Sequence, residues 1–371
     1  MNGPYVGILL DSRVYRGIPK GKTGHEVLEL YEKAAERYGV VPCYLRLDDL
    51  RPEVRAVKTY VRGRQGRYRR VAVPLPSVVH NRAATGSAQA RRKLKRLASS
   101  GIILFNPKNG FGKWNVYRML SKNASLAPHL PETHPATNAS LRDMIRRHDS
   151  LILKPNRGSL GVGVVRLDAV DRAAGRWRAS IAYGRRRIAI PFCSDGRLPG
   201  AVRQKIVRAF YLVQQRIPLA EPEGRPFDVR VSVQRGDDGA WRVTGVVGKW
   251  AAPGSYLTNV AQGAQVSSLD ALLSKCRFDD PVAVERSVHA LALSVAEQLG
   301  AEVPHLADLG LDIGVTKDGF PMLIECNTRD LRYSFKLAGM DREFTASYAH
   351  PIGYAAYLLS ELALRNRSVS R

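Results

Sequence analysis

Leu311-Asp312-Ile313-Gly314-Val315-Thr316-Lys317-Asp318-Gly319-Phe320-Pro321-Met322-Leu323-Ile324-Glu325-Cys326-Asn327 is the stretch whose reading decides the fold. Two apolar runs flank Asp318-Gly319, a dipeptide that favours a tight hairpin because it tolerates positive φ. A two-residue turn there sets Asp312 directly across from Glu325 on the antiparallel partner strand. The side-chain period of two puts Asn327 on the same face. Two carboxylates and an amide oxygen on a rigid hairpin suit magnesium ions that also carry nucleotide phosphates. A solvated hairpin face with a chance cluster of polar residues gives the same local pattern, so the choice rests on the remainder of the chain.

The chain has 371 residues and a formal net charge of +25. That length suits about two to three domains with a large buried core. No apolar run reaches the roughly twenty residues of a membrane span. Met1 to Leu10 lacks the basic start of a secretory signal, which predicts a cytoplasmic protein. Cys43, Cys193, Cys276 and Cys326 are scattered without close pairs. This argues against a zinc site or a disulfide framework and fits a reducing compartment.

Basic clusters stand at Arg62 to Arg70, Arg91 to Arg96 and Arg185 to Arg187. A field of that sign attracts anionic polymers and nucleotides. Arginine is nevertheless spread along nearly the whole chain, as on ordinary solvated faces. No zinc finger, RNA-recognition signature or clear helix-turn-helix pattern accompanies it. A nucleic-acid partner therefore rests on charge alone, and the sequence argues against one.

Tyr5 to Leu10 reads as a buried strand, His25 to Tyr38 as a helix closed by Gly39, and Val40 to Leu47 as a second strand. This order predicts an α/β domain over 1–105 whose sheet is at least partly parallel. Arg51 to Arg70 reads as a basic hairpin. Val71 to Leu75, then His80-Asn81-Arg82, suggests a strand leading to a polar loop. Ser87 to Leu97 is a basic helix, Gly101 to Asn106 a strand, and Lys113 to Leu120 a short helix. A Pro-interrupted linker then leads into a helix near Ser140 to Arg147.

Leu151-Ile152-Leu153-Lys154-Pro155-Asn156-Arg157-Gly158-Ser159-Leu160-Gly161-Val162-Gly163-Val164 follows. A strand ends in a lysine, a glycine-rich turn follows, and a second strand leaves. Glycines let backbone N–H groups approach phosphate oxygens, and the lysine can neutralise phosphate charge. The lysine precedes the glycines, so this is not a Walker loop. Phe210 to Ile217 reads as a strand running into a connector. Asp228 to Gln234 alternates polar and apolar residues, with Asp228 and Arg230 opposite Val229, Val231 and Val233, as a half-buried strand does. Gly236 to Gly239 turns it back into Trp241 to Trp250. Pro281 to Leu299 is an amphipathic core helix capped by Gly300, and Pro351 to Leu364 a closing helix.

In this order the motifs resemble the ATP-grasp superfamily. They are Lys113, Leu153-Lys154-Pro155 with its glycine loop, Gln214 to Ile217, Asp228-Val229-Arg230, Asn259 and Gly263, Leu311 to Gly314, and Glu325-Cys326-Asn327. Within the superfamily they look like the ribosomal-protein glutamate ligases. They look still more like the endospore coat-associated YheC/YheD-like group, which also has counterparts of Phe105-Asn106-Pro107, Pro226 to Arg230, Trp241 to Gly245 and Arg332 to Phe335. The resemblance covers nearly the whole chain. It implies an α+β ATP-grasp fold with an N-terminal α/β pre-ATP-grasp domain over 1–105. A small lobe with the phosphate lid would follow over 106–215, and a large lobe with the magnesium hairpin over 216–371.

The resemblance further implies that Lys113 and Lys154 contact ATP phosphates while the loop carrying Arg157, Gly158, Ser159, Gly161 and Gly163 closes over them. Gln214, Gln215 and Ile217 would line the adenine hinge, and Asp228 would make a ribose or hinge-side contact. Asp312, Glu325 and Asn327 would hold two Mg²⁺ ions, while Arg230 and Lys249 stabilise charge on the transferred phosphoryl group and the acyl intermediate. The implied partners are a small-molecule or acidic peptide substrate with a carboxylate, and an amine co-substrate. Spore-coat association is implied by the family alone. Departures are Gln215 where many relatives carry glutamate, Ala264 in place of a glycine, and Lys249 in place of arginine, which loses bidentate geometry. The leading reading is an ATP-dependent carboxylate–amine ligase. The alternatives are a non-catalytic nucleotide-binding coat or scaffold protein and an anionic-polymer binder.

Overall fold

The computed structural model describes residues 3–158, 161–183, 186–194 and 198–369. Ser159 of the glycine-rich loop and Arg185 of the third basic cluster lie outside the described residues. Within those residues the strands form three sheets.

The first sheet contains β1 (Tyr5–Leu10), β2 (Val41–Arg46), β3 (Ala56–Arg62), β4 (Tyr68–Pro74), β5 (Val78–Asn81) and β6 (Ile103–Phe105), in the order β4-β3-β2-β1-β5-β6. β1 runs parallel to β2 and β5, and β5 to β6. The expected parallel sheet is therefore present. The basic hairpin extends it antiparallel, with β3 beside β2. Val71 to Pro74 belongs to the second arm of this hairpin, and the strand leading to the polar loop is the separate β5.

The second sheet holds β7 (Thr133–Pro135), β8 (Ser150–Pro155), β9 (Val165–Asp171), β10 (Arg176–Tyr183), β11 (Arg186–Cys193) and β12 (Tyr211–Gln215). The glycine-rich segment joins β8 to its antiparallel neighbour β9.

The third sheet is antiparallel, with β13 (Phe227–Arg235), β14 (Trp241–Trp250), β15 (Gln265–Ser268), β16 (Asp308–Val315) and β17 (Pro321–Asn327) in the order β15-β14-β13-β16-β17. Val229, Val231 and Val233 of β13, with Leu309, Leu311, Ile313 and Val315 of β16, pack against Val288, Leu291, Ala292 and Val295 of the helix Pro281–Glu302. Each buried Val, Leu or Ile side chain in this set contributes roughly 1.5–3 kcal/mol. That helix runs through Gly300 to Glu302, so Gly300 is not its cap. The glycine sits where a Cβ would come within 3.0 Å of Trp241 Nε1, so its role is close packing. The closing helix likewise spans Asp341–Val369 with Pro351 inside it, where a start at Pro351 is expected from sequence.

The hairpin departs from a two-residue turn. Val315 pairs with Pro321, and Gly319 stands at φ 82° in a loop closed by the Thr316 N–H to Phe320 C=O bond. This shifts the register by one residue, and a bulge between Asp312 and Ile313 shifts it back. Asp312 therefore faces Glu325 as expected, and Gly310 faces Asn327, through two compensating irregularities.

The polar face of the third sheet is covered. In register, Gln234 pairs with Asp308, Ser232 with Gly310, Arg230 with Asp312 and Asp228 with Gly314. At one end Asp308 receives Arg82, Arg332 and Gln234, while Arg82 also holds Glu26. All are buried, and the cluster ties the first sheet to the third. Asn106, at φ 51°, strengthens that joint. It accepts from the N–H groups of Ala307 and Asp308 and donates to the carbonyls of Asp308 and Thr328. The surface alternation that the sequence also allowed is thereby excluded.

Candidate active site

The open end of this polar face meets the second sheet across a cleft of about 1050 Å³, measured out to its mouth. Lys113, Lys154, Gly158, Gly161, Gln214, Gln215, Ile217, Asp228, Lys249, Asp312 and Glu325 all border it. The structure thus brings together residues from each motif of the ATP-grasp resemblance, Asn259 included. Gly163 stands just behind, where a Cβ would lie 2.8 Å from the Tyr211 hydroxyl. Arg157, Arg230 and Asn327 border the two chambers that continue past Glu325.

Lys113 begins the helix Lys113–Leu120. Asn156, from the loop after β8, accepts the Lys113 and Trp114 N–H groups through its carbonyl and its side chain. This satisfies two orphan donors of the helix start and fixes the lysine relative to the glycine-rich loop. Lys113 Nζ donates to the Gly158 carbonyl at 2.9 Å and lies 3.2 Å from Glu325 Oε1. Lys154 approaches from β8, with its Nζ donating to the Ile324 carbonyl at 3.2 Å. Burial pulls the Lys154 pKa down to about 8, against the attraction of Glu325 and with help from Lys113.

Asp312 is the most heavily engaged carboxylate in the cleft. Arg230 donates to both of its oxygens at 2.8 and 3.1 Å, and Lys249 Nζ lies 2.7 Å away. Burial would raise its pKa, yet Arg230 and Lys249 hold it well below the usual carboxylate range. Lys249 also lies 2.9 Å from Asp228, its cross-strand partner. Burial, reinforced by the Asp312 charge, lifts the Asp228 pKa despite Lys249. Thr258 donates to Asp228 as well, so this carboxylate, at the cleft wall, also supports Lys249. The Asn327 amide nitrogen lies 3.4 Å from Asp312.

Sequence reasoning missed Asp330, which accepts from Arg230 at 3.2 Å and receives the Ser232 hydroxyl. It also missed Asn156 and Thr258. Gly310 is the signal that could have found Asp330, since a Cβ there would lie 2.6 Å from Asp330 Oδ1. Gln214 turns its amide to Thr133, while the Gln215 side chain accepts from the Glu132 N–H.

Residues 101–358 match the family model for YheC/D-like ATP-grasp proteins. The chain belongs to that family. Its relatives include the endospore coat-associated protein YheD of Bacillus subtilis (strain 168), 27% identical over 310 residues and covering 81% of this chain and 67% of that protein. The endospore coat-associated protein YheC of the same organism is 22% identical over 339 residues, covering 89% and 91%. Among solved structures, the ATP-grasp ligase PsnB, complexed with a phosphomimetic variant of its minimal precursor, Mg and ADP, superimposes with a TM-score of 0.52. It is 14% identical, covering 97% of this chain and 100% of that one. The three sheets are thus an ATP-grasp fold, and the cleft lies within the region the YheC/D-like model matches.

Among the described residues no group of three His, Cys, Asp or Glu side chains could hold a metal ion. The YheC/D-like hairpin supplies two carboxylates and an amide, all hard oxygen donors, with the remaining positions left to phosphate and water. In donor chemistry this fits Mg²⁺. No helix is long and apolar enough to cross a membrane among the described residues.

Proposed function

We propose that the protein is an ADP-forming ATP-grasp ligase that joins a carboxylate to an amine through an acylphosphate. The observation that carries this reading is the convergence of Lys113, Lys154, Asp312, Glu325, Arg230 and Lys249 at one cleft between two sheets. A substrate carboxylate oxygen attacks the γ-phosphorus, forming a C–O–P linkage and breaking the bond to the β-phosphate oxygen, with ADP leaving. The amine nitrogen then attacks the acyl carbon, forming the C–N bond and releasing inorganic phosphate and a proton.

Lys113 and Lys154 bind the phosphates, and the glycine-rich loop with Arg157 covers them. The Gln214–Ile217 hinge takes the adenine, with Asp228 on its ribose side. Arg230 and Lys249 lie where charge develops on the transferred group, and phosphoryl transfer depends mainly on such placed charge. Asp312, Glu325 and Asn327 would hold Mg²⁺, which when bound neutralises phosphate charge. The domain boundaries near residues 105 and 215 fit this division, because each sheet is complete within one of the three segments. As in its named relatives, coat association would place the product at the spore surface.

The test is nucleotide product formation by purified protein with Mg-ATP against pools of carboxylates and amines, with Glu325→Ala as control. ADP and phosphate appearing only with particular pools, and vanishing in the variant, support the ligase. AMP and pyrophosphate overturn the acylphosphate route.

One observation favours a second reading, a nucleotide-binding coat scaffold. Arg230 and Lys249 already neutralise Asp312, so a metal must compete with them. Tight Mg-ATP binding without turnover in any pool would select it.

A further inference from the structure

Beyond Glu325 the cleft opens into a chamber of about 920 Å³, measured out to its mouth and bordered among others by Thr85, Asn109, Lys113, Arg157, Asn327 and Arg329. Its walls come from the loop after β5, the segment 109–111 and the end of β17. They are fixed parts of the fold. Asn109 donates to the carbonyls of Asn81 and Ala83, and Thr328 receives the Gly110 N–H. Three polar atoms of this wall are buried without a partner among the described residues: Thr85 Oγ1, Asn109 Oδ1 and Arg329 Nε. Thr85 and Asn109 are 3% and 5% exposed. Buried polar atoms rarely stay unpaired without a reason, and a bound polar ligand supplies one.

The charge around this chamber is one-sided. Among the described residues Glu325 is the one carboxylate bordering it, and Lys113 holds it. Arg329 is matched by Asp11 at 2.9 Å. Beside Phe111, which borders the chamber, the Lys108 ammonium sits 4.4 Å from the ring centroid. Neither Lys108 nor Arg157 forms an ion pair among the described residues, and the Arg91 guanidinium donates to the Gly86 carbonyl. Burial, with the nearby charges of Arg157 and Arg91, lowers the Lys108 pKa, as expected for crowded cations. A low-dielectric cleft lined by one sign of charge concentrates anions far more than scattered surface arginines do.

We infer that this chamber is the acid-substrate site, and that the substrate carries at least one further carboxylate beside the reacting one. This inference rests on the ligase reading for the fate of the reacting carboxylate, which enters beside Glu325 and Asn327. The second carboxylate meets Lys108 and Arg91, which stand beside the lining residues Phe111 and Gly86, and Asn109 Oδ1 can accept from an N–H of a peptide-like substrate.

The test is calorimetric titration of the full chain, with and without Mg-ADP, using glutarate, tetra-aspartate and the neutral tetra-asparagine. Tetra-aspartate is expected to bind about tenfold tighter than tetra-asparagine, and Lys108→Gln with Arg91→Gln to abolish that preference while Mg-ADP affinity is unchanged. Glutarate binding as well as tetra-aspartate would mark a small diacid as the substrate, and glutarate binding worse would mark a peptide. Equal binding of the neutral and acidic peptides overturns the inference. So does binding of tetra-aspartate that the double variant leaves intact, or no binding of either acid. Mg-ADP is read in the same titrations, so failure of nucleotide binding is scored against the ligase reading and failure of acid binding against this one.

Discussion

Asp308 and Asp312 stand four residues apart on the same face of β16, and each is a buried carboxylate gripped by two cations. Asp308 is sealed by Arg82 and Arg332 between the first and third sheets, with the closing helix reaching Gln234 beside it. Asp312 meets Arg230 and Lys249 at the same face where it opens into the cleft. The local pattern is the same, and the cover differs. A charge pair closed off on every side locks a fold, whereas one that borders an open cleft is available to a ligand.

The largest effect expected at the sealed end is on stability. Asp308→Asn leaves two buried guanidinium groups short of a counter-charge and should cost about 3–5 kcal/mol in urea unfolding. The acid limb follows the same logic. Glu26, held at about 2 by Arg82 and Arg332 in spite of its burial, and Asp308, held lower still, contribute stability above the ordinary carboxylate range. That contribution is lost as pH falls through about 4 towards 2, and the loss should be smaller in Asp308→Asn. A variant as stable as the parent would erase the proposed difference between the two ends.

At the open end, Asp312→Asn should lower ADP formation by about a hundredfold or more while costing less stability than Asp308→Asn. Measuring the turnover and unfolding of both variants together decides whether lock and site are separate. Gly310→Ala lies between the two aspartates. Its Cβ would force Asp330 off Arg230, so a loss of about 1–3 kcal/mol is expected, with turnover reduced as Arg230 shifts. The smallest effect is on pH dependence. Lys154 loses its proton as pH rises past about 8, so nucleotide affinity is full below that pH and falls by about tenfold between pH 7 and pH 9. Lys154→Arg should flatten the titration curve, which calorimetry at several pH values can read.

Much of this site was legible because it is written in local patterns. The strand–lysine–glycine run of Lys154 to Gly163, the alternation of Asp228 to Gln234 and the Asp312/Glu325 pairing depend on neighbours in sequence or across one turn. The hairpin also shows the limit of such reading. Asp312 does face Glu325, but through a longer loop and a compensating bulge that no local residue pattern announces. Gly300 and Pro351 misled for a related reason. At Pro351 the local preference to begin a helix is overridden because Phe344 and Tyr348 in the preceding turns are buried, whereas the helix passes Gly300 by only two residues.

The sequence by itself determined the order of elements, the residue types of the cleft and the magnesium-compatible face, because backbone periodicity and turn chemistry act over a few residues. Only the tertiary structure decided that Glu26, Arg82, Asp308 and Arg332 meet as one buried cluster, and that Asp330 supports Arg230. It alone placed Thr85, Asn109 and Arg329 around one chamber. Those contacts join residues up to about three hundred positions apart, as in the hydrogen bond from Arg332 to Tyr31. Their energies depend on exclusion of water by elements that no local pattern brings together.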